Sequence, residues 1–260
     1  MLGKAFFSLV IGWYNLFFGG IHALDYLLKG IAYLGLSLNE ASERQFQIYL
    51  KELDYWNRYV NLTSVTRPNE VEKIHFLDSI SVAIGIPEFL RGGCDLVDVG
   101  SGAGFPGLPL KINFPEISVT LVESVIKKTA FLNHIVNVLN LRDVNVLADR
   151  AEVIGKHPSF RHQFDVAVSR AVGSLRVLAE LVLPFCRVGG IAILSKKGNI
   201  AQEVREAKHA FEIMGGEVTS LTPIPETVLS GQRCLVILRK IHPTPDGYPR
   251  RPGIPAKRPL

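Results

Sequence analysis

Apolar positions recur at three- and four-residue intervals early in the chain. Leu27, Leu28, Ile31 and Leu34 form one stripe, and Phe46, Leu50, Leu53, Trp56 and Val60 form another. That spacing puts each set on one face of an α-helix, so helices are expected over 25–38 and 39–60, with a third over about 70–85. Ser37 or Asn39 suits the start of the second, because a short polar side chain accepts a bond from a first-turn amide. Glu40 and Glu43 favour its positive end. From Asp95 the period changes. Short apolar runs at 95–99, 118–123, 144–147, 164–168 and 190–194 have the length of buried strands, and helical stretches at 107–114, 127–139 and 175–183 separate most of them. This alternation predicts βαβ units, hence an α/β fold with a doubly wound, mostly parallel sheet covered by helices on both faces. The end breaks the rule. After a helix at 201–214, strands at 218–223 and 234–241 follow with no helix between them, which predicts an antiparallel pair closing the sheet.

The organisation expected is an apolar extension over 1–24, a small helical region over 25–93, the sheet domain over 94–241 and a proline-rich tail over 242–260. Residues 5–24 carry no Asp, Glu, Lys or Arg, a run long enough to span a bilayer as a helix. Ser8, Gly12, Asn15, Gly19 and His22 mark a small-and-polar stripe along it. Three readings compete: a helix laid on the body or on a membrane surface, a spanning anchor, and sequence upstream of the true start. Membrane contact is not the favoured one. A signal peptide is disfavoured by a lone Lys4 and the lack of a small-residue cleavage pattern.

Composition narrows the class. A chain of 260 residues with 47% hydrophobic and 20% charged positions is that of a folded globular protein. Cys94, Cys186 and Cys234 are scattered and odd in number, which fits neither a disulfide framework nor a zinc site and suits a reducing cytoplasm. No metal is expected. Residues 239–260 hold six basic residues against Asp246 alone, which accounts for the whole net charge of +5. A basic tail on a neutral body points to an anionic partner such as nucleic acid. Its six prolines over 242–260 predict an extended course.

The chemistry is concentrated where the first strand ends. Glycines between a strand and a helix let backbone amides approach a ligand closely. Gly102, Gly104 and Gly107 formally satisfy the dinucleotide pattern G-x-G-x-x-G, while Gly100, Gly102 and Gly104 after Val97-Asp98-Val99 suit an S-adenosylmethionine site. Both readings need an acid at the end of the next strand to accept from ribose hydroxyls, and Glu123 stands there. The closing strand pair favours S-adenosylmethionine, because a dinucleotide fold continues in parallel. Arg170 and Lys197 follow strands at the carboxyl edge, where such sheets bind ligands, and are the candidate catalytic residues. His75 and Asp78, three apart on one helical face, either shape the pocket or cap the helix against the sheet.

Asn61-Leu-Thr63, His75-Phe-Leu-Asp-Ser79, Asp98 to Gly107, Asp149-Arg-Ala-Glu152, Ser169-Arg-Ala171 and Lys197-Gly198 occur in the order seen in the bacterial 16S rRNA guanine-N7 methyltransferases, also called glucose-inhibited division protein B. The chain resembles this family from about Leu27 to the C-terminus. The resemblance implies transfer of a methyl group from S-adenosylmethionine to N7 of one guanosine in the 530 loop of 16S rRNA, with the small ribosomal subunit as partner. It also implies that Gly100 and Phe105 line the methionine end of the cofactor, Glu123 the ribose, and Ala151 and Glu152 the adenine, with Gly102 in the same cofactor-binding loop. Arg170 would stand at the mouth. A tail of the form Tyr-Pro-Arg-x-Pro-Gly-x-Pro is shared by the family and implies an ordered segment touching the body or the RNA. Two alternatives remain from the residues alone: a methyltransferase acting on a small molecule, and a non-catalytic S-adenosylmethionine-binding module held at a membrane through residues 5–24.

Overall fold

The computed structural model describes residues 24–170 and 173–260. Three helical segments come first: α1 (Asp25–Tyr33), α2 (Glu40–Val60), and α3, which runs without a break through Pro68–Val71, a π-helical Glu72–Leu77, Asp78–Ile80 and a 3-10 stretch Ser81–Gly85. Asn39 is the residue that starts α2, its side-chain oxygen accepting from the Ser42 amide at 2.8 Å. Glu72, fully buried in α3, accepts from the amides of Tyr26 and Leu27 and so caps α1 from outside. The first helix stops at Tyr33, short of the 25–38 expected. The π turn, where the backbone bonds one residue further along, is not visible in the apolar spacing that predicted a regular helix. Among the described residues no helix is long and apolar enough to cross a membrane. The apolar extension lies outside the described residues except for Leu24, which is buried in the core.

A short α4 (Pro87–Gly92) leads into the sheet, built from β1 (Asp95–Val99), β2 (Ser118–Val122), β3 (Val144–Leu147), β4 (Phe164–Arg170), β5 (Cys186–Lys197), β6 (Gly216–Pro223) and β7 (Arg233–Lys240). The strand order is β3-β2-β1-β4-β5-β7-β6. Strands β1 to β5 pair in parallel, and β7 runs antiparallel to both β5 and β6, which is the closing pair the sequence predicts. The connecting helices are α5 (Gly107–Asn113), α6 (Ile126–Val138), α7 (Ala151–Ile154), α8 (Leu175–Val182) and α9 (Ala201–Ile213), with a last turn α10 (Ile254–Lys257) in the tail.

Successive strand residues point to opposite faces, and the two cores follow from that. Leu96, Val166, Val168 and Ile193 face one cluster, shared with Leu27, Ile31, Phe46, Tyr49 and Leu53 of the N-terminal helices. Val97, Val99, Ala167 and Leu194 face the other, with Leu175, Leu178 and Phe211. The N-terminal helices therefore share one core with the sheet. Strand β5 is longer than the apolar run at 190–194, and its pairing with β4 shifts between Phe164 and Val166. The tail departs from the extended course expected. Pro255 sits in the first turn of α10, where a missing amide leaves no helical bond unmade.

Candidate functional site

In an open α/β sheet the crevice opens where neighbouring strands send their connections to opposite sides. Here that point lies between β1 and β4, and a cavity of about 560 Å³ opens at their carboxyl ends. Its floor is the loop after β1. Gly102 and Gly104 take φ of 59° and 95°, the left-handed region that a side chain disfavours. The two differ in surroundings. A Cβ at Gly104 would strike Leu108 and the Tyr49 hydroxyl, whereas at Gly102 nothing lies within 4 Å, so the backbone there faces open space. Glu123, at the end of β2, accepts from the Gly102 amide at 2.9 Å through one oxygen and from the Val125 amide at 2.8 Å through the other. Below the loop, Asp98 is fully buried and accepts from the Gly107 amide at 2.9 Å, while its second oxygen has no hydrogen-bond partner among the described residues. Burial first, and the Glu123 charge in addition, push the Asp98 carboxyl up to about 7, against the Gly107 amide and Arg170.

At one end of the cavity, Phe105 is stacked between rings, with Tyr49 at 5.5 Å and His75 at 4.7 Å between centroids. The Arg170 guanidinium lies 5.2 Å from the Phe105 ring centre. Arg170 Nη1 donates to Asp78 at 2.9 Å and to the Ile74 carbonyl at 2.6 Å, and Nη2 donates to His75 Nδ1 at 3.2 Å. Arg233, at the start of β7, reaches the same Asp78 oxygen at 3.5 Å. His75 Nε2 is 2.7 Å from the Thr63 hydroxyl. Burial and, next, the Arg170 charge lower His75 to about 3, so the ring is neutral. His75 and Asp78 thus meet Arg170 together at the cavity wall, by way of the helix that carries both.

The opposite end is closed by the tail. Gly253, Pro255 and Ala256 line the cavity, and the Gly253 amide donates to Glu152 at 2.8 Å. Arg250 holds this arrangement by a fork on Glu180 of α8, with Nε to Oε1 at 2.9 Å and Nη2 to Oε2 at 2.6 Å, while its own amide donates to Oε1 at 2.7 Å. Arg161 donates to the carbonyls of Thr244 and Tyr248, and Arg176 to those of Pro259 and Leu260. The tail is therefore bound along its length to the body.

Gly100, Gly102, Phe105, Glu123, Ala151, Glu152 and Arg170 all line the one cavity. Lys197 does not. It is exposed beside Gly231, on the same sheet face as Arg170, two residues beyond Ser195, the strand partner of Arg170. Its neighbour Lys196 is committed to Glu203 and the Gly173 carbonyl. Ala171, quoted in one motif, lies outside the described residues. Sequence reasoning gave no role to Tyr49, whose buried hydroxyl donates to the Ala103 carbonyl in the glycine loop, or to Thr63. Tyr49 lies one residue before Leu50 in the apolar stripe of α2, and that adjacency was its only signal. Among the described residues no cluster of His, Cys, Asp or Glu suits a metal ion.

Comparison with known proteins agrees with this geometry. A family model described as rRNA small subunit methyltransferase G matches residues 42–232. The chain is 49% identical over 239 residues to ribosomal RNA small subunit methyltransferase G of Roseiflexus castenholzii, covering 91% of this chain and all of that protein. It is 45% identical over 237 residues to the protein of the same name from Dehalococcoides mccartyi, again with 91% and 100% coverage. Among solved structures, a SAM-dependent methyltransferase from Aquifex aeolicus superposes with a TM-score of 0.50 at 20% identity, over 74% of this chain and 97% of that one; this likeness concerns the fold. The glycine loop, the closing strand pair and these relatives lead to one conclusion: the chain belongs to the rRNA small subunit methyltransferase G family.

Proposed function

We propose that this protein transfers a methyl group from S-adenosylmethionine to N7 of a single guanosine in the 530 loop of 16S rRNA. The donor fits the cavity. Gly102 leaves open the space a side chain would fill, and Glu123 at the end of β2 presents carboxylate oxygens with acceptor capacity for ribose hydroxyls. Ala151 and Glu152 border the adenine end, with the tail behind them. Bound there, S-adenosylmethionine supplies an electrophilic methyl group.

The observation that carries the reading is that neither Arg170 nor His75, the ionisable side chains lining the reactive end, is free to act as a base. Arg170 is tied to Asp78 and His75, and His75 is a neutral ring with both nitrogens in hydrogen bonds. That arrangement suits an acceptor needing no deprotonation. Guanine N7 carries a free lone pair and no proton, so the side chains need only hold it in line and keep water away. Arg170 is the substrate-side contact: its unused donors suit the O6 acceptor of guanine, leaving the N7 lone pair free to attack. Lys197, outside the cavity on the same sheet face, suits a backbone phosphate of the approaching RNA. Family membership favours rRNA over a small-molecule acceptor.

The test is N7-methyl mapping of 16S rRNA from cells with and without the gene, joined to turnover with deproteinised rRNA, 30S subunits or no nucleic acid. The expected result is loss of one N7-methylguanosine and turnover only with the RNA-containing substrates. An unchanged methylation map, or turnover without nucleic acid, contradicts the reading.

A further inference from the structure

We propose that the Thr63 hydroxyl donates a hydrogen bond to O6 of the target guanine and so sets the preference for guanine over adenine; the inference rests on the N7-guanosine reading above. A guanidinium has only donors and stays charged, so the His75 nitrogen that Arg170 Nη2 meets at 3.2 Å, Nδ1, offers its lone pair. The ring is neutral, with its titration lowered to about 3, and its single proton is therefore on Nε2. That nitrogen lies 2.7 Å from Thr63 Oγ1 and donates to it. The Val65 amide donates to the same oxygen at 3.0 Å. A hydroxyl oxygen has two acceptor sites and one proton. Both acceptor sites are filled from the protein, and the proton is left for a ligand.

The placement supports the same use. Thr63 lines the cavity together with His75, Phe105 and Arg170. Its backbone is clamped by Asn57, whose side chain accepts from the Thr63 amide and donates to the Thr63 carbonyl, each at 2.9 Å. The side chain is thus fixed at both ends, on a short loop between α2 and α3. On the edge presented by N7, guanine carries a second acceptor at O6, whereas adenine carries an amino donor there. A hydroxyl that can only donate accepts the first and opposes the second. Because O6 neighbours N7, the same bond holds the methyl acceptor in register. In this scheme Thr63 touches the substrate and His75 is a positioning residue acting through it, while Arg170 orients His75 and keeps its remaining donors toward the substrate.

The experiment uses 30S subunits reconstituted with 16S rRNA carrying either guanine or 2-aminopurine at the target position. The analogue keeps N7 but lacks O6. Single-turnover methyl transfer is measured for the wild type, Thr63→Val and Thr63→Ser, along with the S-adenosylmethionine Kd of each. The wild type should methylate guanine about tenfold faster than 2-aminopurine, the scale of one hydrogen bond. Thr63→Val should lose that factor on guanine and leave the 2-aminopurine rate within about twofold, and Thr63→Ser should keep it. An equal loss on both bases at unchanged S-adenosylmethionine Kd overturns the proposal and leaves Thr63 a structural residue. A loss that follows a weakened Kd, and disappears at saturating S-adenosylmethionine, overturns it by placing the hydroxyl on the methyl donor. Should Thr63→Val fail to fold, equal wild-type rates on the two bases are sufficient to overturn it. Failure of the N7-guanosine reading has its own signature: the wild type makes no N7-methylguanosine in the guanine substrate, before any variant is compared.

Discussion

The two ends of the cavity are each held by a buried carboxylate and an arginine, and the two pairs are built differently. Glu180, fully buried, receives a two-pronged fork from Arg250 and an amide besides, so both its oxygens are satisfied within the protein. Asp78 is 1% exposed and shares one oxygen between Arg170 at 2.9 Å and Arg233 at 3.5 Å, while its other oxygen has no hydrogen-bond partner among the described residues. A satisfied buried pair is a latch, since nothing in it is left to bind anything else. An under-satisfied one with two cations around a single carboxylate oxygen leaves guanidinium donors with capacity for a ligand. The tail end of the cavity is thus closed by structure, and the Arg170 end keeps donors for a ligand.

The largest effect that can break this contrast comes from Arg170→Ala. Methyl transfer should fall by at least ~10²-fold, equivalent to about 2.7 kcal/mol of transition-state stabilisation. Stability should fall too, by about 3 kcal/mol, because Asp78 stays buried with only the more distant Arg233 as cation. Adding Asp78→Asn to that variant should restore much of the stability, read by urea unfolding, and none of the rate. Recovery of both together would make the cluster purely structural.

Glu180→Gln addresses the other end. It removes a charge-assisted fork worth about 1.5–3 kcal/mol and should loosen the tail where Gly253, Pro255 and Ala256 wall the cavity. The S-adenosylmethionine Kd is expected to rise about tenfold, with the rate at saturating donor unchanged and the tail more readily cut by protease. A fall in the saturated rate with Kd intact would assign this end to catalysis and erase the distinction between the two pairs.

Asp98 is a third buried carboxylate, and no ion pair is formed by it among the described residues. Its folded-state value is raised from 3.8 to about 7, chiefly by burial. A raised carboxyl contributes stability that is present in full below its unfolded value and is lost as pH rises through the folded one. The unfolding free energy of the wild type should therefore decline relative to Asp98→Asn between about pH 4 and pH 7, within a range of a few kcal/mol (~1.4 per pKa unit). Parallel pH profiles for the two proteins would show that Asp98 ionises freely at the heart of the site.

These differences track what could be read from the chain. The glycine loop was legible because its demands are local: left-handed backbone at Gly102 and Gly104 requires glycine, the residues are contiguous, and Glu123 follows one strand later. The sheet and its antiparallel ending were legible for the same reason, since strand and helix periods are short. The latch was not. Glu180 and Arg250 stand 70 residues apart, and in an amphipathic helix such as α8 a glutamate reads as a solvent-facing position. Nor does periodicity show that Lys240, counted among the basic tail charges, is fully buried and donates to the Met214 carbonyl and Thr244. The π turn in α3 was hidden too, although it lies where His75 is carried to Phe105 and Arg170.

The smallest effect expected is the most discriminating for the tail, because its charges divide into two kinds. Arg250 is consumed by Glu180, while Arg251, Lys257 and Arg258 are exposed. Only the exposed three remain for RNA phosphates. Each neutralised phosphate contributes a salt slope of about −0.7 to −0.9 through counterion release. Changing Arg251, Lys257 and Arg258 together to Ala should therefore flatten the salt dependence of RNA affinity by roughly 2 units, with the S-adenosylmethionine Kd unmoved. Adding Arg250→Ala should leave that slope where it is and weaken S-adenosylmethionine binding instead, because the residue lost is the latch. A further flattening on adding Arg250→Ala, at constant Kd, would mean that Arg250 leaves Glu180 for the RNA, and the two ends of the cavity would then both be substrate-facing.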